Sequence, residues 1–221
     1  MMKAYTYKAD TAAEKRIVAD DMILTKDIPT TAGSKMLEGY VSLFEAEALT
    51  RLKNAGYSLS GKADVGEFAI DLLGETSVRG ALSVDGKILN PAAEIVSSGE
   101  AMAALTLDVN GSVRRAAAQS GLISVKPTYG TVSRYGTIPA ACSGETVSVM
   151  AKCPSVCREV LGVIAGHDDK DGTSLPEEKC ALVSAAAPIR RVAILTDMAE
   201  GAAALTRAHF SSGRLVPSLS S

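Results

Sequence analysis

The sequence predicts an α/β fold: a mixed, mostly buried sheet with helices on both faces. Three observations carry the prediction. Short apolar runs alternate along the chain with segments of helical period, the pattern of an α/β protein. The chain has 221 residues, enough for one domain with a sizeable core or two small ones. Hydrophobic residues make up 47% of it, too large a share for a chain that stays disordered. The expectation is one domain over residues 1–196, followed by a C-terminal tail at 197–221 whose last stretch, SSGRLVPSLSS, is polar.

The elements follow in order. Residues 44–56, FEAEALTRLKNAG, place Ala46, Leu49, Leu52 and Lys53 at helical spacing. Gly56 falls where a left-handed residue closes a helix. YSLSG (57–61) reads as a short strand, and KADVGEFAIDLLG (62–74) as a helix ending at Gly74. VDGK (84–87) carries an Asp-Gly hairpin signal. Asn90 and Pro91 open a helix, Asn as cap and Pro at the first helical position. That helix either runs on through AAEIVSSGEAMAALTL or stops at Gly99.

SVRRAAAQS (112–120) is the next helix, closed by Gly121. LISVKPTYGTVSRYGTIP (122–139) begins as a strand and turns into loop, punctuated by Pro127, Gly130 and Gly136. SVKPT within it is expected to be a buried strand. SVCREVLGVIAG (155–166) is an amphipathic helix with Val156, Val160, Val163 and Ile164 on one face. RRVAIL (190–195) reads as a buried strand. There is no internal repeat and no low-complexity linker.

Composition excludes several classes of function. Net charge is −2 and the pI about 5.8, which argues against broad binding to nucleic acid or an anionic membrane. Aromatics are 4% with no Trp, so direct nucleic-acid binding by base stacking is not expected. No apolar run approaches the roughly 18 residues that span a bilayer. The first residues, MMKAYTYKADTAAEKR, are charged throughout and do not read as a signal peptide. The four cysteines, Cys142, Cys153, Cys157 and Cys180, therefore read as reduced thiols in a cytoplasmic protein. Cys153 and Cys157 could share a helix face. No second ligand pair has suitable spacing, so they read as small packed side chains, with no metal and no cofactor. His167 and His209 stand alone and read as surface or capping residues.

Four stretches resemble one family: TKDIPTTAGSKML (25–37), GKADVGEFA (61–69), VKPTYGTVSRYG (125–136) and IAGHDDKDGTS (164–174). They are similar to the amidase signature family, most closely its branch of glutamyl-tRNA(Gln) amidotransferase A subunits. The resemblance covers about residues 17–195, from which the family's N-terminal helices and second half are expected to be missing.

The resemblance implies a reaction run by three side chains. A neutral lysine accepts a proton from a relay serine, which deprotonates a nucleophilic serine. Backbone N–H groups just before the nucleophile hold the oxyanion. Carried over residue by residue, the nucleophile falls on Ser112 in DVNGSVR, with Asp108 and Arg114 matching its neighbours. Val109, Asn110 and Gly111 take the oxyanion-loop positions, and Asn110 stands where the family has glycine. The lysine position falls on Asp20, in VADDMILTK. The relay serine falls on Ile88 or Leu89, and the family's Gly/Ser-rich loop is gone. Glu145, in GETVSV, takes the place of a family aspartate.

Two of the three catalytic side chains are thus replaced, one by a residue of opposite charge. The sequence therefore predicts a non-catalytic homologue that binds a protein partner, such as amidotransferase-type subunits, or its own copies. The alternative is an active amidase using Ser112 with a rearranged base. Ser112 itself reads as the N-cap of the following helix, its hydroxyl accepting from the N–H of Arg114 or Arg115. Arg114 and Arg115 read as a solvated face or as an anion-binding pair.

Overall fold

The computed structural model describes residues 4–71, 75–84 and 87–181. The chain divides into two units, Met1–Leu182 and Val183–Ser221. RRVAIL, His209 and the tail expected from 197 onward lie outside the described residues.

Strands β1 (Tyr5–Lys8) and β2 (Arg16–Asp20) come first, then α1 (Glu47–Asn54) and β3 (Ser58–Ala63). A short hairpin, β4 (Ser83–Val84) with β5 (Lys87–Ile88), precedes α2 (Pro91–Ser98) and β6 (Ala103–Asp108). The last elements are α3 (Ser112–Gln119), β7 (Ile123–Val125), β8 (Thr146–Ala151), α4 (Pro154–Ile164) and α5 (Glu177–Cys180). The main sheet has the order β1-β3-β2-β6-β8-β7. β2 runs parallel to both β3 and β6, and the remaining pairs are antiparallel. The sheet is mixed, as expected.

Alternation along the strands feeds two cores. Ile17, Ala19, Leu105, Val147 and Val149 pack with Leu49 and Leu52 of α1 and Val160 and Ile164 of α4. Val18, Ala104 and Met150 pack on the other face with Ile95 and Val96 of α2 and Val113 and Ala117 of α3. Helices therefore cover both faces. Central strands β6 and β8 are buried along their whole length.

Several local signals act as expected. Gly56 has φ +85° just past α1. Asn90 caps α2, its Oδ1 accepting from Ala93 N at 3.0 Å, with Pro91 next. Ser83 and Val84 pair with Ile88 and Lys87 in the hairpin.

Two expectations need correction, and one open alternative is decided. Residues 62–71 do not form the expected helix: Lys62 and Ala63 finish β3, and Glu67–Ala69 make a 3₁₀ turn, while the expected end at Gly74 lies outside the described residues. Phe68 and Ala69 have φ of 52° and 55°, left-handed values that a continuing α-helix excludes. The helix at Asn90 stops at Gly99, whose φ of +82° ends it, and the run beyond becomes β6. Its residues Ala103–Leu107 have helix-compatible composition, but burial between two helical layers selects the strand. SVKPT is not a buried strand. Among the described residues β7 pairs only with β8, at the sheet edge, and is half-buried.

Candidate functional site

β2, β3 and β6 end on one side of the sheet, at Asp20, Ala63 and Asp108. The carboxyl ends of parallel strands are where α/β proteins place ligands, because the chain there opens into loops and helix N-termini. In this chain the three ends bring together residues far apart in sequence. A cleft of about 40 Å³ is lined by Asp20, Ile88, Leu107 and Ser112, with Gly66, Ala69, Asp71, Asn90 and one face of α3 through Arg115 and Gln119. The positions of the family's lysine, relay serine and nucleophile thus share one cleft.

Asp20 is 3% exposed. Its Oδ2 accepts from the N–H of Leu107 at 3.1 Å, and its Oδ1 is buried without a hydrogen-bond partner. Burial is the main cause that pushes this carboxyl up to about 8, with the neighbouring Asp21 and Asp64 acting in the same direction. The N–H of Leu107 and the charge of Lys62 oppose it. Asp20 is therefore mostly protonated at neutral pH, where an ordinary aspartate is ionised.

The buried charges beside it come in pairs. Lys62 Nζ lies 3.0 Å from Asp21 Oδ1, both side chains fully buried, and also bonds Thr30 Oγ1. Asp21 Oδ2 accepts from Thr31 N at 2.9 Å and Thr31 Oγ1 at 2.6 Å. Asp64 takes Ser77 Oγ at 2.7 Å and faces Arg79 at 3.8 Å. Burial also pushes Lys62 down and Asp64 up. Lys62 is the lysine of this region, but its ammonium is committed to Asp21 and Thr30. The sequence reading missed this pair, although a lysine inside the apolar-flanked strand SLSGKA was its signal.

Ser112 is not the cap of α3. Gly111, at φ +90°, takes the cap position, and Ser112 is the first helical residue with no side-chain capping bond. The residues before it close the turn instead. Asp108 Oδ1 accepts from Gly111 N at 2.8 Å, and Asn110 Oδ1 from Ser112 N at 3.1 Å. Asn110 Nδ2 also donates to Ile70 O at 3.1 Å. The N–H of Gly111 in the oxyanion loop and that of Ser112 are therefore already occupied by side chains. Val109 offers its carbonyl to Lys126 Nζ at 3.3 Å. With no side-chain bond to lose, Ser112→Ala should change stability by less than about 0.5 kcal/mol in chemical denaturation. A loss above about 1 kcal/mol would restore a capping role.

The two arginines part company. Arg114 Nε lies 2.7 Å from Asp108 Oδ2, so this guanidinium fixes the loop rather than an anion. Arg115 lines the cleft, with Nη1 on Gln119 Oε1 at 3.1 Å. Ile88 stands in the cleft wall with no proton to pass, and Leu89 packs against the second core. Glu145 is a structural anchor: it takes Ala140 N and Ala141 N at 2.8 Å each and Arg134 Nη1 at 2.7 Å. His167 lies on the surface, its ring on Leu175 O and Asp169. Cys157 lies on the buried face of α4. Among the described residues no helix is long and apolar enough to cross a membrane.

This arrangement has close likenesses among known proteins. The Amidase family model matches residues 17–210. Among glutamyl-tRNA(Gln) amidotransferase A subunits, that of Methanococcoides burtonii is 41% identical over 169 residues, which are 73% of this chain and 36% of that protein. Its counterpart in Haloarcula marismortui is 40% identical, over 73% of this chain and 40% of that one. The crystal structure of the Thermotoga maritima counterpart superposes with a TM-score of 0.73 at 31% identity. That match covers 79% of this chain and 42% of the solved one. The chain spans between a third and a half of the length of these relatives.

Proposed function

Since this chain belongs to the Amidase family, we propose that it is a non-catalytic homologue of glutamyl-tRNA(Gln) amidotransferase A subunits, with a partner-binding or scaffolding role in the cytoplasm. One observation carries the reading: the lysine position holds the buried carboxyl Asp20, mostly protonated at neutral pH. A neutral acid beside Ser112 cannot accept the proton that an attacking hydroxyl must shed. Ile88 offers no relay, and the N–H groups of Gly111 and Ser112 are spent on Asp108 and Asn110. The partner half of the reading is supported by segment 36–44, where Met36 and Leu43 are 82% and 85% exposed, with Val41 and Phe44 beside them. Apolar exposure concentrated on one segment marks an interaction surface.

The protein should release no ammonia from glutamine, asparagine or simple amides above background near neutral pH. Losing the partners of a serine nucleophile costs on the order of 10⁴–10⁶ in rate. A fluorophosphonate should leave Ser112 unlabelled. Labelling that disappears in Ser112→Ala would overturn the reading. Sedimentation at micromolar concentration should show a homo-oligomer, or a complex with amidotransferase-type subunits; a monomer that forms no such complex would remove the scaffolding half.

A second reading has one observation in its favour. A carboxyl at about 8 in the same cleft as Ser112 is a better base than an ordinary aspartate once ionised. An active amidase of this kind would show turnover that rises through about pH 8 and is lost in both Ser112→Ala and Asp20→Asn.

A further inference from the structure

We propose that Cys153 and Cys157, at the head of α4, form a reversible thiol–disulfide site, in which Cys153 attacks a small-molecule disulfide and Cys157 resolves the adduct. This goes beyond the scaffolding role and does not rest on it.

One turn of helix places the pair. Cys153 is the extended residue just before α4, and Cys157 lies four residues on. The N–H of Cys157 donates to the carbonyl of Cys153 at 3.3 Å, so the first turn closes between them. Four residues of helix put their Cα atoms about 6 Å apart, within the roughly 4.4–6.8 Å that a disulfide spans. The two sulfurs also feel each other: after burial, the charge of Cys153 is the next cause that raises Cys157.

Their surroundings divide the work. Cys153 is partly exposed, and its Sγ lies 3.2 Å from Ser155 Oγ. The Ser155 hydroxyl holds this thiol below its ordinary range, and the N–H groups of Val156 and Ser155 act in the same direction. Its sulfur makes no capping hydrogen bond to the helix, which leaves it open to an incoming electrophile. A partly exposed thiol that ionises easily is the attacking kind. Cys157 is 1% exposed, and burial pushes it up to about 11. Its Sγ rests on Ile123 O at 3.7 Å and Val149 O at 4.0 Å. A covered, protonated thiol does not meet the oxidant first, but it stands one turn from the adduct. Cys142 is exposed as well but heads no helix, which makes it the internal comparison.

Electrons and atoms balance in two steps. The Cys153 thiolate attacks one sulfur of the small disulfide RSSR. A Cys153–SR bond forms, the S–S bond of RSSR breaks, and RS⁻ leaves. Cys157 then gives its proton to water, and its sulfur attacks that of Cys153. The Cys153–Cys157 bond forms, the Cys153–SR bond breaks, and a second RS⁻ leaves. Two thiols of the chain are oxidised, and one RSSR is reduced to two RSH once each RS⁻ takes up a proton. For the second step Cys157 must turn away from Ile123 O and Val149 O, which loosens the first turn of α4 from β7 and β8. In a reducing compartment such a pair rests as the dithiol and closes transiently.

Oxidised glutathione on the native full chain tests this, with an acid and N-ethylmaleimide quench and peptide mass spectrometry. The parent should yield a Cys153–Cys157 disulfide that dithiothreitol reverses, with glutathione on Cys153 only a minor species. In Cys157→Ser the glutathione adduct should accumulate on Cys153, at least about threefold faster than on Cys142. In Cys153→Ser, Cys157 should stay free. In urea the advantage of Cys153 over Cys142 should vanish, because the helix that favours its thiolate is gone. A cross-link to Cys142 or Cys180 instead, no cross-link in the parent, reaction of Cys153 no faster than Cys142, or the same advantage in urea would each overturn the proposal. The parent alone reports the cross-link, so the test stands even where Cys157→Ser does not fold. Amide turnover and complex formation report separately on the scaffolding reading.

Discussion

Replacing Lys62 with Met should cost the fold about 3–5 kcal/mol. Lys62 and Asp21 are both fully buried at 3.0 Å from each other. Two charges taken out of water are tolerable only together, because their mutual attraction offsets the desolvation of each. Without Lys62, Asp21 keeps the two bonds from Thr31 but loses its counter-charge. It must then take up a proton, or the loop from 21 to 31 must open to water. Chemical denaturation should show the loss as a lowered midpoint with an unchanged slope. Adding Asp21→Asn to Lys62→Met should recover more than half of it, since the orphaned charge is gone while an acceptor for Thr31 remains. A single-variant loss below about 1 kcal/mol would mean that the pair contributes no more than a surface ion pair.

The second large effect is the pH dependence set by Asp20. Its folded carboxyl titrates near 8, against 3.8 for an ordinary one. Below the ordinary value both folded and unfolded chains hold the proton. Between the two values only the folded chain does, so this group's contribution is largest at low pH and is lost as pH rises to about 8. Asp20→Asn has no proton to lose. The stability difference between Asp20→Asn and the parent should be near zero at about pH 4 and favour the variant by on the order of 2–5 kcal/mol at about pH 9. Taking the difference removes the carboxylates that do not act on Asp20, while Asp64, whose charge acts on Asp20, titrates together with it and belongs to the difference. A difference that stays flat across this range would show that Asp20 is ionised throughout.

Sequence alone determined those elements whose signals are local. Asn90 and Pro91 start α2, Gly99 stops it, Gly56 ends α1, and an Asp-Gly step marks the small hairpin; each depends on one residue's backbone or side-chain chemistry. The exchange of lysine for Asp20, and of the relay serine for Ile88 or Leu89, was legible for the same reason. A matched position reveals which atoms are absent before any fold is known.

Tertiary structure decided whatever depends on neighbours distant in sequence. Ala103–Leu107 became the central strand because helices cover both of its faces, a fact absent from those residues. Ser112 lost its capping role to Asp108 and Asn110, whose oxygens reach the turn first. Arg114 was drawn off to Asp108, while Arg115, one residue on, faces the cleft. Asp20 reads from sequence as an ionised side chain, and only burial among Leu107, Asp21 and Asp64 turns it into a neutral acid. A side chain's identity is local, but its protonation state is set by the dielectric and charges that the whole fold assembles around it.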